Sequence, residues 1–182
     1  MAATRTVLLL VGPKGSGKTF IGTLLSERLG VPFLRVEPIF LASQRSSSLQ
    51  GVARDAEGFD QVLVEVERRL ASDQTLALES TGASEAFRPF LAALREQARV
   101  VLVAVRAPLE RCQERVRTRD PGGHIDVSDH RVLEINRIAA RLQLDWDLVL
   151  DNSGPAPAAV ILEAVRPLLV GPPHHRGGHL VQ

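Results

Sequence analysis

Eight consecutive residues near the start of the chain carry the strongest chemical signal. Gly12-Pro13-Lys14-Gly15-Ser16-Gly17-Lys18-Thr19 fits the pattern G-x-x-x-x-G-K-[ST] at each specified position. Glycine opens backbone angles closed to other residues. That lets successive N–H groups turn inward around an anion. A helix starting near Lys18 would aim its positive end at the same anion. Lys18 is expected to reach the β- and γ-phosphates of a nucleotide, and Thr19 to offer its hydroxyl to Mg²⁺. Phe20 follows them, so residues 12–20 are the expected nucleotide contacts. Of 22 basic residues only two are lysines, Lys14 and Lys18, and both lie in this loop.

Other residues could complete a site. Leu76-Ala77-Leu78 is an apolar run ending in Glu79. An acid at the end of such a strand is a Walker-B-like arrangement, whose carboxylate holds magnesium-bound water; Asp is the usual residue there. Ser80-Thr81-Gly82 would then face the transferred phosphate or its acceptor. Arg111, Arg115, Arg117 and Arg119 crowd one short segment. At i, i+4 and i+8, Arg111, Arg115 and Arg119 share a helix face. Arg115 and Arg119 are the expected site residues and Arg117 a solvated one. Glu110 and Glu114 suit ordinary surface pairs. His124 and His130 read as solvated, Cys112 as a small buried filler and Trp146 as a packing residue.

Alternating short strands and helices must position these groups. Thr6–Val11 reads as a strand and Lys18–Leu29 as a helix with Ile21, Leu24, Leu25 and Leu29 on its apolar face. Gly30 and Pro32 stop it. Strands are expected over 31–36, 74–79, 99–105 and 147–150. Further helices are expected over 59–71, 84–97, 109–118, 128–142 and 158–169. Residues 37–58, with Ser46-Ser47-Ser48, read as a mobile segment with room for a short helix. Residues 120–126, with Pro121-Gly122-Gly123, read as a loop and the tail 171–182 as disordered. Strands separated by helices imply an α/β fold: a five-stranded parallel sheet with helices on both faces.

Composition bounds the function. At 182 residues, one domain over about 1–170 is expected. No apolar run approaches the roughly 20 residues of a membrane span. No leader pattern is present, so a cytoplasmic location is expected. One cysteine, Cys112, excludes an intrachain disulfide or a cysteine-based zinc cage. Net charge is +1 and aromatics are only 4%, which argues against a nucleic-acid partner. A monomer or homodimer is expected.

The chain resembles the P-loop small-molecule kinases, shikimate kinase and its relatives above all. The likeness runs from Thr6 to about Leu169 and is most specific over 12–36, GPKGSGKTFIGTLLSERLGVPFLRV. It implies a three-layer P-loop fold, ATP and Mg²⁺ as cofactors, and phosphoryl transfer to a small-molecule hydroxyl. It also implies an arginine-rich flexible lid over about 115–127, an acceptor segment over about 37–58, and adenine cradled by Asn152-Ser153-Gly154. The departures fall on the acceptor side. The family's Asp-x-Asp after the second strand reads Arg35-Val36-Glu37 here, leaving Glu37 as the candidate base. Its Phe-Arg reads Phe59-Asp60, and its glycine triple reads Ser80-Thr81-Gly82. An acceptor other than shikimate is therefore expected. Glu37 and Asp60 favour an acid-free or cationic one. A nucleoside or nucleotide acceptor would need an arginine pair, for which Arg45 and Arg54 lie in the right segment. A regulatory ATP-binding protein without a small-molecule acceptor is the alternative from another class.

Overall fold

The computed structural model describes residues 5–118, 127–154, 157–170 and 180–181. The strands are β1 (Thr6–Val11), β2 (Phe33–Leu34), β3 (Thr75–Ser80), β4 (Arg99–Arg106), β5 (Leu148–Asp151) and β6 (Leu180–Val181). They pair in the order β2-β3-β1-β4-β5-β6, every pair parallel. Five are the expected strands. The two-residue β6 adds an edge from within the tail expected to be loose, and the rest of that tail lies outside the described residues.

The helices are α1 (Lys18–Leu29), α2 (Glu37–Ser46), α3 (Gly51–Leu70), α4 (Phe87–Gln97), α5 (Leu109–Thr118), α6 (Asp129–Arg141) and α7 (Ala158–Leu169). Central strands of a parallel sheet are covered on both faces, so β1 is apolar at each of its last five positions. Val7, Leu9 and Val11 pack with Val62 and Val66 of α3 and Phe87 and Leu94 of α4. Leu8 and Leu10 pack on the other face with Ile21 and Leu25 of α1 and Ile161 and Val165 of α7. The result is the expected three-layer α/β fold. Among the described residues no helix is long and apolar enough to cross a membrane.

The expectation that fails is the segment 37–58, which is not irregular. It forms α2 and the first two turns of α3, joined through Ser47–Gln50. Pro38 at the start of α2 supplies a φ already suited to a helix. What fixes α3 here is tertiary rather than local. Phe40 of α2 meets Phe59 of α3 edge-on, with ring centres 5.1 Å apart. Gly58 leaves room for the same ring: a Cβ there would stand 2.8 Å from it. The apolar stripe that begins at Phe59 understates a helix whose first turns are packed by a neighbour.

Candidate active site

The carboxyl ends of β1, β3, β4 and β5 meet on one edge of the sheet, with β1 between β3 and β4. This is where open parallel sheets bind ligands. The loop after β1 turns through Gly15 (φ 84°) and Gly17 (φ 100°). Both sit in the left-handed region that favours glycine. Neither has room for a side chain: a Cβ on Gly15 would lie 2.2 Å from the Cys112 carbonyl oxygen, and on Gly17 2.1 Å from Asn152 Nδ2. A Cβ on Gly12 would lie 2.1 Å from the Val105 carbonyl oxygen.

Three distant side chains hold this loop from behind. Asn136 of α6 accepts from the Lys14 N–H at 2.7 Å and donates to the Lys14 carbonyl at 3.0 Å. Asn152, just past β5, donates to the Ser16 carbonyl at 2.7 Å. Arg115 of α5 donates to the carbonyls of Gly15 (3.3 Å) and Asn152 (3.0 Å). Ser16 is fully buried, and its hydroxyl has no partner among the described residues.

Lys18 is buried at the start of α1, where Nζ donates to the carbonyls of Gly12 (2.8 Å) and Pro13 (2.7 Å). Burial lowers its pKa to about 8; the Glu79 carboxylate opposes part of that fall, and Lys14 adds to it. Thr19 donates its hydroxyl to Glu79 Oε2 at 2.8 Å. Two hard oxygens thus stand together at the loop's mouth. Among the described residues no cluster of three or more His, Cys, Asp or Glu could hold a metal ion by itself.

Three hollows surround the loop. The first, about 290 Å³, is bordered by Lys14, Lys18, Thr19, Glu37, Glu79 and Arg115. The second, about 400 Å³, shares Lys14, Val36, Glu37, Ser80 and Thr81 with the first. It continues between Phe40, Arg54, Asp55 and Ser84 on one side and Arg131, Ile135 and Ile138 of α6 on the other. The third, about 530 Å³, lies beyond Gly17 and is bordered by Phe20, Arg115, Asn152, Ser153 and Gly154.

Most residues singled out from the sequence border one of these hollows, with several differences. Glu37 opens α2, and its Oε1 accepts from Lys14 Nζ at 2.9 Å. Asp60 is exposed and borders none of the three, because α3 turns its side away from the cleft. Gly82 is buried beneath Leu142, 2.4 Å from where its Cβ would be, and is a packing position rather than a contact surface. Of the two carboxylates expected on the acceptor side, only Glu37 borders the cleft. Arg45 is exposed, whereas Arg54 borders the cleft with its Nε buried and unpartnered among the described residues. Arg111 and Arg117 form surface pairs with Glu114 and Asp129. Cys112 is buried, and Trp146 packs against the α3–α4 core. Arg119 and His124, with most of the expected lid, lie outside the described residues.

Sequence reasoning missed Asp55, which accepts from the Ser84 hydroxyl at 2.7 Å, and Asn136. Asn136 had a legible signal. Val132, Asn136 and Ala139 are the buried stripe of α6, and an amide among apolar neighbours must find partners.

The geometry agrees with what this chain is similar to. Residues 7–144 match the family model of the AAA domain. Shikimate kinase from Synechococcus elongatus is 30% identical over 159 residues, 86% of this chain and 77% of that enzyme. The HslU ATPase subunit of an ATP-dependent protease from Staphylococcus saprophyticus is 37% identical over 71 residues, 39% of this chain. That match spans only 14% of HslU's length. The tunicamycin resistance protein of Deinococcus radiodurans has a TM-score of 0.65 at 19% identity, covering 90% of this chain and 95% of that one, a likeness of fold. On its family match and its likeness to shikimate kinase over 86% of its length, the chain belongs to the AAA-domain family and to the P-loop small-molecule kinases related to shikimate kinase.

Proposed function

We propose that this protein transfers the γ-phosphoryl group of ATP to a hydroxyl of a small metabolite other than shikimate. The observation that carries the reading is the shared wall of two hollows. The phosphate cradle opens past Lys14, Glu37, Ser80 and Thr81 into a cleft of about 400 Å³. A cradle alone would suit a nucleotide hydrolase. An adjoining cleft gives a second molecule a place to lie in line with the γ-phosphate, and positioning is most of what phosphoryl transfer requires.

In this reading residues 12–20 wrap the polyphosphate, and Lys18 exchanges its carbonyl partners for β- and γ-oxygens. Adenine lies in the third hollow against Phe20, Ser153 and Gly154, while the Asn152 side chain keeps its bond to the loop. The hydroxyl of Thr19 and the carboxylate of Glu79 suit magnesium, which takes such oxygens together with phosphate and water. When bound, that ion neutralises charge on the β- and γ-oxygens. Arg115 and Arg119 supply positive charge on the polyphosphate side. Glu37 receives the proton of the acceptor hydroxyl, and Ser80 and Thr81 orient the acceptor. Arg54 meets an anionic or strongly accepting group at the far end of the cleft, with the Asp55–Ser84 pair beside it.

The test is incubation with γ-labelled ATP and Mg²⁺ and pooled nucleosides, nucleotides, sugars, polyols, amino alcohols and shikimate. Lys18→Ala is run alongside. A labelled compound that is absent with the variant is the expected result and names the acceptor class. Label recovered only as inorganic phosphate overturns the kinase reading in favour of an ATP-dependent regulator.

A further inference from the structure

We infer that Lys14, at a position the phosphate-loop pattern leaves open, is a catalytic residue whose ammonium contacts the phosphoryl group in transit, held in place by Asn136. The inference rests on the phosphoryl-transfer reading above and assigns the charge on its acceptor side.

Lys14 is the one cation among the described residues that borders both the cradle and the acceptor cleft. Lys18 and Arg115 border only the cradle side, and Arg54 and Arg131 only the cleft. Arg115 already donates to the carbonyls of Gly15 and Asn152. In transfer, charge spreads over the three equatorial oxygens of a group lying between donor and acceptor. A fixed cation at the shared wall meets that charge where it develops and needs no reorganisation.

The fixing is visible. The Lys14 backbone is bound on both its N–H and its carbonyl by one fully buried side chain, Asn136. Its ammonium is set by Glu37 Oε1 at 2.9 Å, with side chains 12% and 16% exposed. A buried ion pair contributes little net stability, since desolvation offsets the attraction. Its value here is geometric: acid and cation stand together at the boundary the phosphoryl group must cross. In the step, the bond between the γ-phosphorus and the bridging oxygen of ADP breaks. A bond from the acceptor oxygen to that phosphorus forms. The acceptor's proton goes to the Glu37 carboxylate and then to water. Lys14 keeps its protons throughout and acts by charge alone. Asn136 touches no reactant and is a positioning residue. Through it α6, which also walls the acceptor cleft with Ile135 and Ile138, is tied to the phosphate loop.

The test compares full-length wild type with Lys14→Met and Lys14→Arg. It follows loss of the γ-phosphoryl group from ATP, to acceptor or to water, and affinity for a fluorescent ATP analogue. The expected result for Lys14→Met is a fall in kcat of about 10²–10³-fold, the size seen when one preorganised donor is removed. ATP affinity should hold within about threefold, because the backbone N–H groups of the cradle remain, and Lys14→Arg should recover part of the rate. Asn136→Ala should lower kcat in the same direction. Combining it with Lys14→Met should add little, since the two act as a unit. Should Asn136→Ala not fold, the Lys14 variants decide alone. A Lys14→Met rate within threefold of wild type, or affinity falling in step with rate, overturns the inference. Release of inorganic phosphate alone by wild type overturns the kinase reading separately, and the effect of Lys14→Met on turnover is still read.

Discussion

The phosphate cradle and the acceptor cleft share the Lys14–Glu37 pair but are built by different means. The cradle is eight consecutive residues whose working surface is backbone, braced by Asn136, Asn152 and Arg115. The cleft is side chains gathered from α2, α3, α6 and the segment after β3. A backbone site tolerates no extra atom but is indifferent to most side chains beyond it. A side-chain site can be rewritten one residue at a time while the sheet stays put. That difference fits a chain that keeps the family's nucleotide half intact and departs from it at cleft positions such as Glu37 and Ser80.

The comparison is tested most severely at Gly17. Gly17→Ala places a side chain at φ 100° and 2.1 Å from Asn152 Nδ2, so it adds strain and breaks a brace of the loop. Left-handed strain costs about 1–3 kcal/mol by itself. For a chain of this size that lowers Tm by about 3–10 °C. ATP binding should be lost as well, because the N–H groups no longer converge. Gly154→Ala, where an added Cβ meets nothing within 4 Å, should leave Tm unchanged. Thermal melts of the two variants check this, and equal melts would mean that the cradle is not rigidly braced.

A second break-point is the charge of Lys18. Its pKa of about 8 lies below the ordinary 10.5. ATP binds the protonated form, so binding above pH 8 must take up a proton. The dissociation constant should therefore rise about tenfold per pH unit above 8, until the pKa of the bound form is reached. Lys18→Met should bind weakly at every pH, with no such slope. The linkage to folding runs the other way. Between about pH 8 and 10.5 the unfolded chain holds this proton and the folded chain does not. Lys18 therefore costs stability in full below pH 8, and relief comes as pH rises toward 10.5. ATP affinity that stays level from pH 7 to 10 would mean that Lys18 remains charged in the free protein.

The same contrast governs how much could be read in advance. The cradle was legible because local chemistry dictates it. The strand Thr6–Val11, the glycines and the helix Lys18–Leu29 follow one another without interruption, and each carries its own signal. The cleft was not, because its walls meet only in three dimensions. Arg54 and Asp55 sit on helical turns with little apolar stripe, ordered by Phe40 and Gly58 rather than by their own pattern. Asp60 follows from matching Phe59-Asp60 to the family's Phe-Arg, which says nothing of the face the side chain takes, whereas Asp55 reaches the cleft only through the packing of α3. Asn136 lies 122 positions from Lys14, so nothing in the loop announces it.

The two sides of α3 should differ in what they contribute to acceptor binding. Asp55 and Asp60 lie five positions apart on α3, which at 100° per residue puts them about 140° apart around its axis. Arg54 and Asp55 border the cleft, and Asp60 is exposed outside it. Arg54→Met should raise the KM for the acceptor by about tenfold or more, the loss of one charge-assisted hydrogen bond. The KM for ATP should be unchanged, because Arg54 does not border the cradle. Asp60→Asn should change kcat and both KM values by less than about twofold, as surface substitutions away from a site do. Steady-state kinetics with the acceptor found in the labelling assay separates the two. If Asp60→Asn weakened acceptor binding while Arg54→Met did not, the acceptor would lie along the solvent face of α3, and the cleft would lose its claim to be the second half of the site.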